Sequence, residues 1–300
     1  MIELMIVEVT YMIKMIVMDM DGTLLNNESK LTTYTKETLI EAEKKGVILV
    51  LSSGRSHITL KDYADELKMN EYNGYLICVN GLSRYNCQTK EIKYLQKISL
   101  EDEKLLFNAF SKYNVEIMGV NDDYLYDYVS PEYLKEKIQY KKENNIEGDV
   151  YTGGPKGIYH DQRINKYRIY NVSNFDSNDP VNKVIIARCQ EELDKAINDI
   201  DKKIIDSFTF NRTTPRWLEI SPKGVSKGNN LKTLAEELNI GLDEIMVFGD
   251  GENDLSMLTL VENSVCMING MDSVKAKTKY ISDYSNDEDG VAKFVRKMML

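Results

Sequence analysis

Four short apolar runs in this chain stop abruptly at polar residues: Met15 to Met18 before Asp19, Val47 to Leu51 before Ser52-Ser53-Gly54-Arg55, Tyr75 to Val79 before Asn80-Gly81, and Ile245 to Phe248 before Gly249-Asp250-Gly251-Glu252-Asn253-Asp254. Continuous apolar stretches of this length, bounded by turn formers, suit strands buried on both faces. Such strands need helices above and below them, and helical patterns lie between. Thr35 to Lys45 offers Leu39, Ile40 and Ala42 on one side, with Gly46 placed to stop it. Leu231, Leu234, Ala235 and Leu238 follow the spacing of a helix packed on a core.

After the Ile245 run come a short helix, the apolar run Val265 to Ile268, and a last helix with Val291, Phe294, Val295 and Met298 on one face. The two ends of the chain therefore read as two halves of one α/β fold, a Rossmann-like parallel sheet core with helices on both faces. Between them the sequence becomes Tyr-rich and charged, and Ser99 with Asp102 opens a helix whose apolar face holds Leu105, Leu106, Ala109 and Phe110. The stretches 144–159 and 172–180 are rich in loop formers. We place the core in residues 1–83 and 222–300, and an inserted α+β domain in residues 84–221.

The formal net charge of -10 opposes nucleic-acid binding, which draws its affinity from clustered Lys and Arg. Glu3, Glu8 and Lys14 interrupt the apolar opening, which reads as neither signal peptide nor membrane span. We expect a cytoplasmic protein, whose translation begins at Met1, Met12 or Met15. The four cysteines show no CxxC spacing and read as reduced core thiols; the two histidines are too few for a zinc site. A bound metal must take oxygen ligands.

Chemistry concentrates where the apolar runs end. Asp19 and Asp21 flank one residue at a strand terminus, so both carboxylates can serve one pocket. One can attack phosphorus while its neighbour moves a proton, and Gly22 permits the turn. Asp250 and Asp254 add negative charge at another strand end, and carboxylates gathered so densely call for a cation, with Mg2+ the natural choice. Ser53 supplies a hydroxyl and Gly54 a free N–H for phosphate oxygens, and Lys227, at a predicted helix start, can neutralise a transferring phosphoryl group. Each signal alone has an ordinary alternative: an Asp-Gly turn, an acidic loop, a plain turn, a surface lysine.

Together, DMDGTLL, LSSGR, EISPKGVSKG and GDGENDLSML resemble, in order and context, the haloacid dehalogenase-like phosphatase superfamily and its Cof-type branch. The resemblance implies that Asp19 is the nucleophile and a metal ligand, and that Asp21 is the acid/base and offers its backbone carbonyl to Mg2+. It places Ser53 at the second-motif hydroxyl, where the branch more often has Thr, and Lys227 at the third-motif cation. Asp250 becomes a second carboxylate on Mg2+, Asn253 approaches the phosphate, and Asp254 sits in the outer shell or orients Lys227. The insertion corresponds to the branch's large cap, which closes over the site and carries specificity.

The expected function is Mg2+-dependent hydrolysis of a small phosphorylated metabolite, a sugar phosphate foremost, through an aspartyl-phosphate. Nucleotide, flavin and pyridoxal phosphates stay open as substrates. A phosphomutase on the same core would not release inorganic phosphate, and a non-catalytic metabolite sensor could dispense with Asp19 or Asp21. The Gly153-Gly154-Pro155-Lys156-Gly157 loop and the segment Tyr124 to Tyr128 are candidate specificity elements, though a turn and a strand with half-buried tyrosines are the plainer readings.

Overall fold

The structure is a computed structural model that describes residues 13–121, 124–145, 168–173 and 180–300. The chain divides into two compact units, residues 1–95 with 226–300, and residues 96–225. The glycine-rich 153–157 loop and the first dozen residues lie outside the described residues.

In the first unit eight strands form one sheet, in the order Tyr280–Ile281, Asn263–Cys266, Ile245–Gly249, Met15–Asp19, Ile48–Ser52, Tyr75–Cys78, Ser83–Asn86 and Ile92–Tyr94. The first six run parallel to one another, and the last two are joined on by antiparallel pairing. All five residues of Met15–Asp19 are buried, as a central strand covered on both sides requires. Strand alternation splits its side chains between two cores. Ile16 and Met18 join the cluster with Leu39, Leu60 and Phe294, whereas Met15 and Val17 join Leu231, Leu234 and Ala235. Each core is roofed by helices whose apolar spacing is visible in the sequence.

Helix ends follow local chemistry. Thr32 caps Thr33–Lys44 by accepting the Thr35 N–H at 3.1 Å, and Ser226 caps Lys227–Leu238 by accepting the Asn229 N–H at 3.1 Å. Of the face expected for Gly290–Met299, Val291, Phe294 and Val295 are buried but Met298 is exposed, and in the last turn Met299 and Leu300 pack on the core instead.

The second unit holds a six-stranded sheet in the order Phe208–Thr214, Trp217–Pro222, Lys183–Ala187, Glu116–Val120, Tyr124–Val129 and Arg168–Asn171. Its neighbours pair antiparallel except for the last two strands, which are parallel. Ser99 accepts the Asp102 N–H at 3.1 Å and caps Leu100–Phe110, whose buried side is Leu106, Ala109 and Phe110; Leu105 faces solvent. Tyr124, Tyr126 and Tyr128 alternate with buried Leu125, Asp127 and Val129, as a strand with half-buried tyrosines should.

The boundary differs from the sequence reading. Ser83–Asn86 and Ile92–Tyr94 extend the first unit's sheet rather than opening the insertion, because they return antiparallel from the Tyr75–Cys78 strand as a hairpin edge. Their mixed polar character hid this, since an edge hairpin need not be apolar on both faces. All four cysteines are free thiols, and Cys78, Cys87 and Cys266 are buried. Among the described residues no helix is long and apolar enough to cross a membrane.

One buried group works against this fold. Glu43 is 2% exposed and neither carboxylate oxygen has a hydrogen-bond partner. Burial, reinforced by the charge of Glu71, pushes its pKa from 4.5 up to about 8. The folded state thus keeps a proton that the unfolded chain releases, so this group's contribution to stability falls as pH rises from 4.5 to 8. Glu43→Gln should match wild type at pH 5 and exceed it at pH 8 by about 1–3 kcal/mol in urea denaturation. Equal stability of the two proteins at pH 8 would contradict an ionising carboxylate at this position.

Candidate functional site

The parallel register brings three strand ends to one edge of the first sheet. Asp19 closes its strand beside Ser52 of the neighbouring strand, and on the other side Met18 lies opposite Phe248, two residues before Asp250. Ligands of open α/β sheets bind at the carboxyl ends of the strands, so the fold itself nominates this edge. One carboxylate oxygen each from Asp19, Asp250 and Asp254 lies within 4.8 Å of the others.

Lys227 holds this group together. Its side chain is fully buried, with Nζ donating to Asp19 Oδ1 at 2.5 Å and to Asp254 Oδ1 at 2.6 Å. A cation in the first turn of a helix opposes the helix dipole, so the two carboxylates must hold it there. Burial acts to lower the ammonium's pKa, but Asp19 and Asp254 outweigh it and hold the group above its usual value, fully charged. Asp19 feels the reverse balance. Burial raises its pKa against the pull of Lys227, with Asp254 and Asp250 adding repulsion, and the carboxyl is pushed up to about 7.

The other two carboxylates differ in what they have left to offer. Asp254 Oδ2 accepts the N–H groups of Asp250 and Gly251 at 3.0 and 3.1 Å, so together with Lys227 it serves three protein donors. Among the described residues the Asp250 carboxylate accepts only the Thr23 hydroxyl, at 2.7 Å, and burial leads the causes that raise its pKa. Gly22 sits against it at φ +85°, where a Cβ would meet Asp250 Oδ2 at 2.6 Å. Both the left-handed backbone and the missing side chain are needed at that turn.

Asp19 and Asp250 therefore keep oxygen valence for a cation. All the donors are hard oxygens, which fits Mg2+ and does not fit a thiolate-seeking or imidazole-seeking metal.

Asp21 stands apart from the cluster. Its side chain is 56% exposed, and Arg55 grips it with two hydrogen bonds, Nε to Oδ2 at 3.0 Å and Nη2 to Oδ1. Ser53 is buried and its Oγ accepts the Arg55 N–H at 3.2 Å, which leaves its hydroxyl hydrogen to donate. Gly54 is exposed at the same turn, and Asn253 Nδ2 reaches Asn80 Oδ1 at 3.4 Å.

Arg55, Thr23 and Asn80 are the partners that residue-by-residue reading misses. Arg55 directly follows Gly54, Thr23 directly follows Gly22, and Asn80 stands at the polar end of an apolar run, so their position in the strand-end runs is the signal that could have found them.

The chain has clear relatives. A family model described as haloacid dehalogenase-like hydrolase matches residues 16–295. The 5-amino-6-(5-phospho-D-ribitylamino)uracil phosphatase YcsE of Bacillus subtilis is 27% identical over 96% of this chain and 96% of its own length. A haloacid dehalogenase-like hydrolase from Bacteroides thetaiotaomicron superposes with a TM-score of 0.78 at 28% identity, over 95% of this chain and 99% of that one. The sugar phosphatase BT4131 shares the fold, with a TM-score of 0.67 at 24% identity, over 95% of this chain and 98% of that one.

Removing the buried cation should be costly. Lys227→Met leaves Asp19 and Asp254 facing each other unpaired, and in the presence of a chelator it should lose about 3–5 kcal/mol in urea denaturation. A variant as stable as wild type would show that the ammonium does not hold these carboxylates together.

Proposed function

We propose, for a chain that belongs to the haloacid dehalogenase-like hydrolase family and is one of its phosphatases, Mg2+-dependent hydrolysis of a small phosphorylated metabolite through a phosphorylated Asp19. The observation that carries the reading is the convergence of Asp19, Asp250 and Asp254 on one point, with buried Lys227 against Asp19. Asp19 and Asp250 would hold the ion, joined by the backbone carbonyl of Asp21. Bound there, Mg2+ would offset the charge of the phosphate dianion.

The steps belong to the side chains. Asp19 Oδ attacks phosphorus in line as the ester P–O bond breaks, and Asp21 gives its proton to the departing alkoxide. Asp21, now a carboxylate, takes a proton from water, whose oxygen attacks the phosphorus of the acyl phosphate and frees Asp19 and inorganic phosphate. Lys227 stays charged throughout and steadies both Asp19 and the phosphoryl oxygens. Ser53, Gly54 and Asn253 supply hydrogen bonds to those oxygens. Asp254 fixes Lys227 and the loop that carries Asp250, which agrees with its three N–H partners.

Discrimination among substrates is assigned to residues 96–225. A sugar phosphate is the favoured class. The phosphoribityl ester named for the Bacillus subtilis relative and the sugar phosphatase among the fold neighbours both support it.

Asp19→Asn should lower kcat by a factor on the order of 10³ or more, because it removes the nucleophile. Asp21→Asn should slow both steps by about 10²- to 10⁴-fold while phosphate still binds. Acid quenching of the wild type during turnover should trap label on Asp19, and turnover that survives in Asp19→Asn would defeat the scheme.

Metal dependence has a separate reading in stability. At about 100 times its Kd, Mg2+ should stabilise the wild type by about 2.7 kcal/mol. Asp250→Asn should abolish most of that gain, and EDTA should stop turnover. A melting temperature indifferent to Mg2+ would remove the ion from the site.

A further inference from the structure

The segment after the Tyr75–Cys78 strand has an unusual backbone conformation. Val79, Asn80 and Gly81 take φ of +51°, +53° and +98° in succession. Left-handed backbone is tolerable for asparagine and easy for glycine, but for a β-branched valine it is a marked outlier, of the kind that persists where surroundings over-determine it. Here they do. The Val79 N–H donates to Arg55 O at 2.9 Å and the Asn80 N–H to Ser53 O at 3.0 Å. Asn230 Nδ2 donates to Gly81 O at 2.9 Å, and a Cβ on Gly81 would stand 2.0 Å from Ser226 O. The turn is thus clamped between the Ser53-Gly54-Arg55 turn and the start of the helix that carries Lys227.

What this clamp aims is the carboxamide of Asn80. Its Oδ1 accepts from Asn253 Nδ2 at 3.4 Å, and a Cβ on Gly54 would lie 3.3 Å from its Oδ1 and Nδ2 alike. The side chain therefore bridges the segment bearing Ser53-Gly54 and the one bearing Asn253. With Oδ1 engaged, the Nδ2 hydrogens of Asn80 have no partner among the described residues.

We infer that Asn80 is a phosphoryl-positioning residue, which fixes the carboxamide of Asn253 and offers its own Nδ2–H to an oxygen of the bound phosphoryl group. The inference rests on the phosphatase reading above for the identity of the ligand, a phosphate ester or inorganic phosphate. It explains why the strained turn is kept: an unstrained turn would carry the carboxamide away from Gly54 and Asn253. It also gives Asn253 a defined orientation, since an amide bonded through one N–H is held with the other free to donate.

The test compares the wild type with Asn80→Gly and Asn80→Asp, both of which accept left-handed backbone. Inorganic phosphate is titrated calorimetrically in the presence of Mg2+, and p-nitrophenyl phosphate turnover is measured in parallel. Asn80→Gly should weaken phosphate about 10- to 100-fold, the usual worth of a hydrogen bond to a charged group, and raise KM more than it lowers kcat. Asn80→Asp should weaken phosphate further, because a carboxylate repels the anion while preserving shape. The Mg2+ midpoint and the melting temperature should stay at wild-type values in both variants.

Unchanged phosphate affinity in both variants would overturn the inference. So would a loss of affinity that tracks a fall in melting temperature or in Mg2+ affinity, since that is the mark of a purely structural residue. If no ester is hydrolysed by the wild type while phosphate binding still depends on Asn80, the phosphatase mechanism fails and the anion contact stands.

Discussion

A single ammonium group organises the catalytic edge of this fold. Lys227 is wholly enclosed, at the helix end least hospitable to positive charge, and only Asp19 and Asp254 make that position tenable. The dependence runs both ways, because two buried carboxylates at this distance would repel strongly without it. Asp254 in turn ties down the loop that carries Asp250 through two backbone N–H groups. One charge thus links the central strand, the Lys227–Leu238 helix and the loop after Ile245–Gly249. The balance remains two charges short of neutral: three carboxylates face one ammonium, which is the electrostatic argument for a divalent ion.

The sheet makes this possible by sparing its ends rather than its middle. From Met15 to Met18 every side chain is buried in one of two helix-covered cores, so chemistry begins only at Asp19, where the strand ends. Parallel pairing gathers all the carboxyl ends on one edge, and polar residues that are scattered in sequence become neighbours. Asp19 and Asp250 are separated by the whole insertion yet stand at the ends of adjacent strands. The turn at Gly22 then lets the backbone pass close to Asp250, with no room for a Cβ.

Much of this was legible from the sequence because each signal was local. Apolar runs marked the strands, the spacing of Leu231, Leu234 and Ala235 marked a helix, and the DMDGT and GDGEND clusters marked where polar groups meet. What was not legible depended on pairing across distance. Nothing in LSSGR announces that Arg55 will grip Asp21, nor does Thr23 reveal that it will donate to Asp250. The Ser83–Asn86 and Ile92–Tyr94 hairpin was assigned to the insertion because an edge strand carries only half the apolar signal of a central one. Leu105 and Met298 were misplaced for a similar reason, since helical periodicity gives an angle but not the width of the surface that covers it.

The second unit contains an instructive counterpart. Lys137 and Glu116 form an ion pair at 2.5 Å with no solvent exposure on either side chain, and Tyr133 stacks nearby, with Arg188 4.0 Å from its ring centre. By burial and by charge this pair is as unusual as Lys227 with Asp19. It differs in stoichiometry and in access. Among the described residues the only acidic group able to converge on a metal is Asp19, Asp250 and Asp254, where acid outnumbers base and one member remains partly open. Buried ion pairs mark functional sites only probabilistically, because many of them are structural. What separates the two here is an unbalanced charge left at a strand end, where a cation and an anionic ester can complete it.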